Sequence, residues 1–533
     1  MMTQAILSRL YDQIDQTTDR TTHFVSTNNQ LEAMVTKAHV QLNQCIKDHG
    51  NGKPVLHEGG IYHGTWLEST GTINAEILSR FLPDIAQHTF EQFATYQRAD
   101  GLIPYKVTPD GPNYRQIQLV SPLARSVWSH YQLNGRDTAF LKKMYDAMAQ
   151  YDTWLTTYRN TRQTGCVEAF STFDTGHDRS PRFWHAPDVP HTGDATKYHP
   201  DSPHLPFLAP DLTANVYCQR LYLAKIAAEL EDKTHDWLTL ADQSLHSLME
   251  HCYYKDDHFF YDLDRNHQYV KVQSDVLLRV LACEVGDDTF FKQALSRYLL
   301  HTKKFFSAYP FTSIALDDPR FDPTSTAYNS WSGTSNFLSL IRAPHAFETH
   351  GHYVELSWVL QPILTAFAHM DRFPQTLHPW TGEAGFTDVY SPSILCLLDY
   401  IERLSGILPR PDGELWITGL TPYPFHQEHE QHEVAYSRLH NDHEYVLTHI
   451  NEACKLYKDR EELATFPAGI RFILNDADQT ISIVGMSVRT IKGTLTYQQT
   501  DYPFQIKGNE IQTLQAGAWV TTQSPGIVSP TYE

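Results

Sequence analysis

The chain has 533 residues, with 42 Lys and Arg against 62 Asp and Glu, and so a formal net charge of −20. A surface of that sign repels nucleic acid, and no local basic run offsets it. The length suits two or more domains with a core large enough to bury a pocket, whereas no apolar run approaches the roughly 20 residues that cross a bilayer.

The start, Met1 to Leu10, lacks the basic end and long apolar stretch of a secretory leader. Seven cysteines, at 45, 166, 218, 252, 283, 396 and 454, are scattered without Cys-x-x-Cys spacing. An odd, dispersed set reads as buried free thiols in a reducing compartment, so a cytoplasmic protein with no membrane partner is expected.

After an N-terminal extension over 1–28, the dominant period to about residue 406 is helical. Ile73, Ile77, Phe81 and Ile85 repeat every four residues, with Leu78, Leu82 and Phe90 beside them. Asp137 stands as the N-cap of a helix carrying Phe140, Leu141, Met144, Met148, Tyr151 and Leu155. Apolar residues continue at this period through Leu223, Ile226 and Leu230, then Trp237, Leu240, Leu245 and Leu248. Leu356, Val359, Leu360, Ile363, Leu364 and Phe367 predict a nearly all-apolar helix, and Ser391-Pro392 starts another. The connections alternate between short and long. That alternation suits a closed ring of paired helices, the (α/α)6 barrel, whose long loops gather around one mouth.

Two connections, 161–211 and 301–333, are long and rich in His, Asp, Pro and aromatics, a composition that favours ordered function over disorder. A break falls at Leu408-Pro409-Arg410-Pro411-Asp412-Gly413. Beyond it the period shifts toward two, as in Ile470, Phe472 and Leu474, then Ile481 and Ile483. The expected organisation is a helical domain over 1–408 and a small β-sandwich-like domain over 409–533. The His- and Glu-dense stretch from His426 to His443 resists assignment.

The most informative stretch is Phe173-Asp174-Thr175-Gly176-His177-Asp178-Arg179-Ser180-Pro181-Arg182-Phe183. Two carboxylates four apart flank a glycine that permits a tight backbone path, which suits a loop pushing one carboxyl into a cavity. The run resembles the general-acid loop of the trehalases and family 63 glycoside hydrolases, the mannosylglycerate hydrolases among them. Four further stretches carry the resemblance in order. Leu56 to Glu68 stands where the relatives have a Trp-aromatic-Asp segment, and Asp100-Gly101-Leu102-Ile103-Pro104 echoes their Asp-Gly-Leu/Met-Ile/Val-Pro turn. Trp331 and Gly333 match a sugar-binding turn, and Pro379-Trp380-Thr381-Gly382 matches a Pro-x-Thr-Gly core.

By that resemblance the protein is an inverting, exo-acting glycosidase on an (α/α)6 barrel, cleaving an α-glucoside or related small glycoside without a cofactor. Asp178 takes the place of the general acid. Substrate-binding positions fall on Tyr62, Trp66, Glu68, Asp174, Arg182, Trp331, Gly333 and Trp380. The family's base position, four before Pro379, is Gln375. An amide is far too weak a base to accept a proton from water. The base is therefore sought at Glu383 first, then Asp388 on the same loop, or at Glu168 or Glu58 elsewhere. His177, His185, His191, His199 and His204 have no metal-ligand spacing and are read as polar loop residues. Abundant His and the glutamine at 375 keep open a sugar isomerase or epimerase on the same barrel, or a non-catalytic sugar-binding protein.

Overall fold

The computed structural model describes residues 2–17, 20–422, 433–475 and 480–532. Residues 426–432 of the His- and Glu-dense stretch lie outside these. The described chain forms two compact units.

The larger unit takes residues 42–346, 372–393 and 530–533. It is mainly helical. Asp137 caps its longest helix, Thr138–Tyr158, by accepting from the amides of Ala139 and Phe140 at 2.9 and 3.2 Å, and the apolar stripe from Phe140 to Leu155 is buried. Helices Pro210–Glu229 and Trp237–His251 pack against each other across a short connection, and Leu123–Leu133 packs on the first of them. The four-residue repeat from Ile73 to Ile85 does not form one helix. A π-helical turn Thr70–Asn74 runs into a short helix Ala75–Leu78, and a new helix begins at Pro83 and ends at Thr95. Proline has no N–H to donate and its ring disfavours a helical residue before it, so the pattern crosses a break that periodicity alone does not reveal.

Short strands in this unit set the loops. Glu168–Ala169 pairs antiparallel with Phe207–Leu208, and Leu208 pairs in turn with Leu263. This pairing closes the base of the loop that holds Asp178. A second small sheet joins Thr65–Trp66, Lys106–Thr108 and Gly111–Asn113.

The smaller unit takes residues 1–41, 347–371 and 394–529. Two antiparallel sheets dominate it, one of seven strands and one of six. Phe466 of the first approaches Phe472 of the second with ring centroids 5.9 Å apart. The edge of the seven-stranded sheet is Thr22–Ser26, paired antiparallel with Val434–His440. Helix Met2–Gln16 covers it, with Ile6 and Leu10 buried against Val25, Ala435, Val446 and Ile450. The segment expected as an extension of the helical domain is thus built into the sheet unit, because strand pairing brings together residues more than 400 positions apart. Helix Tyr353–His369 also falls in this unit, where Tyr353 packs with Leu408, Trp416, Ile473 and Val484. A partition at 408/409 follows composition; the compact units follow pairing.

All seven cysteines are buried and unpaired. Among the described residues no helix is long and apolar enough to cross a membrane.

Removing residues 1–28 should strip an edge strand and its covering helix. Each lost burial of Ile6, Leu10 or Val25 is worth about 1.5–3 kcal/mol. At roughly 2–4 °C per kcal/mol, the melting temperature should drop by about 10 °C or more. Aggregation through the bared strand Val434–His440 is the expected companion. Unchanged calorimetry and solubility would make the segment a dispensable extension after all.

Candidate active site

Three buried side chains clamp the loop between the strand pair. Asp174 accepts from Arg159 Nη1 and Nη2 at 2.7 and 3.2 Å, and from the amides of Ile117, Phe170 and Ser171 at 3.1, 2.8 and 3.1 Å. Arg182 donates two hydrogen bonds to Asp211, both 2.9 Å, and two to Asp262, both 2.8 Å. It also donates from Nη1 to His177 Nδ1 at 2.6 Å. His177 Nε2 in turn lies 2.9 Å from Oδ1 of Asp275. Burial, reinforced by Arg279, pulls the imidazole down to about 3, so it is neutral at physiological pH. At Gly176, with φ of +67°, a Cβ would come within 2.9 Å of both carboxyl oxygens of Glu68. Only glycine lets the loop pass this close.

Between these anchors stands Asp178. Its Oδ1 is shut off from solvent and has no hydrogen-bond partner. Burial pushes the carboxyl up to about 7; Asp188 and Glu58 add to the rise, while Arg279 and Arg179 oppose it. Two more buried carboxyls share its field. Glu58 accepts from Ser69 Oγ and Tyr390 Oη, both at 2.6 Å, and from Thr70 Oγ1. Burial still raises it above the usual carboxylate range, against those three donors. Glu68 accepts from Gln118 Nε2 through Oε2. Burial and the neighbouring Asp178 and Glu58 lift it well above its ordinary value. Carboxyls this close titrate as a group, each raised above its ordinary value by burial.

Two buried arginines balance the cluster. Arg279 stands 4.8 Å over the Trp331 ring and donates to Thr175 O at 2.6 Å, with Nε and Nη2 unpartnered. Burial and the charge of Arg279 bring Arg342 down to about 9. Tyr62 donates to Gln375 Oε1 at 2.9 Å and meets Trp66 edge-on at 5.7 Å. Tyr62, Glu68 and Glu58 therefore share the surroundings of Asp178, and Trp66 and Gln375 contact Tyr62.

Other expected site residues go elsewhere. Glu383 and Asp388 are exposed. Asp388 spends Oδ1 on the amides of Val389 and Phe373, at 2.6 and 3.4 Å, and neither residue joins the buried carboxyls. Trp380 is 52% exposed on a turn held by His378. Asp174 and Arg182 have their polar atoms filled by protein partners and so act as loop anchors. Glu168 is likewise filled, by Thr161 and the amide of Arg162. Trp331 is buried between His177, 4.6 Å away, and Arg279, which leaves no open platform for a sugar. Gly333 is required by its backbone: a Cβ would meet the carbonyl carbon of Asp322 at 2.8 Å.

Sequence reasoning missed His177 as a positioning group, together with Tyr390, Gln118, Asp275, Arg279 and Arg342. A signal did exist for two of them. Asp275 and Arg279 stand four apart around the apolar run Val276-Leu277-Leu278, where charge has no reason to be buried unless it is used. Among the described residues no group of three or more His, Cys, Asp or Glu could hold a metal ion.

The family profile described as mannosylglycerate hydrolase MGH1-like glycoside hydrolase domain matches residues 62–393. No curated protein matches the sequence. Among solved structures, a GH63 mannosylglycerate hydrolase from Thermus thermophilus is similar with a TM-score of 0.58 at 16% identity, over 68% of this chain and 99% of that one. A sialidase gives 0.60 at 14% identity, over 88% of this chain and 42% of the other. Neutral trehalase from Saccharomyces cerevisiae gives 0.50 at 13%, over 66% and 74%. At these identities the likeness is one of fold.

Two substitutions separate anchors from bystanders. Asp174→Ala leaves Arg159 buried and unpaired and should cost about 3–5 kcal/mol of stability. Glu383→Gln should change stability by no more than about 0.5 kcal/mol and leave turnover intact. Thermal melts and a glycosidase assay on both proteins check this; loss of turnover in Glu383→Gln would restore it as the base.

Proposed function

The chain belongs to the mannosylglycerate hydrolase MGH1-like glycoside hydrolase family, and on that premise we propose that it removes one sugar from a small α-glucoside or related glycoside, with Asp178 as general acid. The observation that carries this reading is the state of Asp178: a buried carboxyl oxygen without a partner, on a group lifted to about 7. Such a carboxyl is still protonated in a large share of molecules at neutral pH and can release that proton to a departing glycosidic oxygen. We further infer that the helical part is an (α/α)6 barrel, supported by the likeness to the mannosylglycerate hydrolase across 99% of that protein.

An inverting hydrolysis also needs a carboxylate to activate water on the opposite face of the sugar, about 6.5–9.5 Å from the acid. Gln375 occupies the family's position and has no basic atom; its Oε1 accepts from Tyr62. We assign the base to Glu68. Both oxygens of Glu58 are engaged by hydroxyls, whereas Glu68 uses only Oε2, on Gln118. The free oxygen can take a proton from water when Glu68 is ionised, the state that Arg279 and Arg342 favour against its burial. A histidine-based isomerisation is disfavoured by His177, the histidine beside Asp178. It is neutral, and its Nδ1 is already occupied by Arg182.

Asp178→Asn should lower kcat/KM on natural glycosides by about 10²–10⁴-fold. It should spare glycosyl fluorides, whose leaving group needs no proton. Because the acid works in its protonated form, wild-type kcat/KM should fall as pH rises through about 7. That limb should vanish with the fluoride substrates. A variant with full activity on disaccharides would remove Asp178 from the mechanism.

Glu68→Gln should abolish turnover of glycosides and fluorides alike, with partial recovery in azide, while Gln375→Glu should shift the pH profile. Normal hydrolysis by Glu68→Gln would return the search for the base to Glu58.

A further inference from the structure

A cavity of about 720 Å3 opens beside the acid loop, lined by Thr172 and Arg179 of that loop together with Trp184, Phe321 and Tyr328. None of these was among the expected site residues. Its size falls within the range of about 300–1,000 Å3 that holds small ligands. Arg179 directly follows Asp178, and its amide donates to Thr172 Oγ1 at 2.9 Å. The chain neighbour of the residue assigned as proton donor thus lines this cavity, on the same loop.

The lining has the chemistry of a sugar site. Trp184 is 55% exposed and Tyr328 70% exposed, an unusual amount of open aromatic surface for two neighbours in one cleft. The Arg179 guanidinium sits 4.6 Å from the centre of the Tyr328 ring, covering one face and leaving the other for a ligand. The cations of the cleft are already neutralised. Arg179 pairs with Asp188 at 2.9 Å, and Arg320 pairs with Asp318 through two bonds of 2.7 Å. An acidic ligand would find no free positive charge here, whereas a neutral polyol can stack on the rings and bond to the paired polar groups.

Resting on the assignment of Asp178 as acid, we propose that this cleft binds the leaving group, and that the leaving group is a neutral sugar. The substrate is then an α-linked disaccharide or short oligosaccharide, not the glycoside of a small organic acid.

The test compares wild type, Trp184→Ala and Tyr328→Ala on α-linked disaccharides of glucose and of mannose, and on the matching glycosyl fluorides. The fluorides place nothing in the cleft. Both variants should lose about 10–100-fold in kcat/KM on the disaccharides, mostly through KM, and less than about 3-fold on the fluorides, with Trp184→Phe recovering most of the loss. Equal losses on both substrate types, or none on the disaccharides, overturn the proposal while the hydrolase reading stands. Wild type hydrolysing only glycosyl-acids overturns it as well. If wild type fails even on the fluorides, the hydrolase reading falls instead. Ligand-observed NMR with the same disaccharides then decides the cleft: binding lost in Trp184→Ala upholds it, and binding unchanged overturns it.

Discussion

The buried ion pairs of Arg182 carry the site. One planar guanidinium reaches Asp211 with two hydrogen bonds and Asp262 with two more, and its Nη1 also faces His177. Burial works against this cation, but its two carboxylate partners more than offset that and raise it further, so the junction is permanent in charge and fixed in plane. Asp211 is held well below the usual carboxylate range, against its burial, by Arg182 and by Arg279 at 3.5 Å. Asp262 lacks the second arginine, and burial lifts it above its usual value in spite of Arg182. The two partners of one cation thus end up on opposite sides of normal. Asp211 lies just beyond the Phe207–Leu208 strand and Asp262 in the strand that pairs with it, so the clamp ties the exit of the loop to its base.

The loop anchors on either side of Asp178 are held by protein partners, while its own Oδ1 has none. Asp174 accepts five hydrogen bonds, and His177 is wedged between Arg182 and Asp275. The cost of a buried, unpartnered carboxyl is on the order of several kcal/mol when ionised, and the group avoids it by keeping its proton. Glu58 and Glu68 add negative potential, while Arg279 and Arg342 stop the cluster from becoming a stack of neutral acids.

The 375–388 loop is fixed by its backbone while its carboxylates face water. Its Pro-Trp-Thr-Gly turn persists, with Gly382 pressed where a Cβ would strike the ring of Tyr309 at 2.6 Å. Its backbone remains tied in, through Phe337 N to Gln375 O at 3.0 Å and Gln375 N to Phe386 O at 2.9 Å. Gln375, whose amide is no base, accepts the hydroxyl of Tyr62. Glu383, on the outer turn beyond the buried strand Thr376–Leu377, has its carboxylate in water.

Local chemistry was legible in the chain. The cap at Asp137, the buried stripe of Thr138–Tyr158 and the hairpins after 409 rest on contacts between chain neighbours. Patterns of that range are written in neighbouring side chains. Long-range pairing was not. Strand Thr22–Ser26 meets Val434–His440, Glu58 meets Tyr390, and Tyr62 meets Gln375, each across more than 300 positions. Exposure was equally hidden: Glu383 and Glu68 are the same residue type, and only folding buries one carboxyl beside Asp178 while leaving the other in solvent. A side chain's chemistry is intrinsic, but its pKa and its partners belong to the surroundings that the fold assembles.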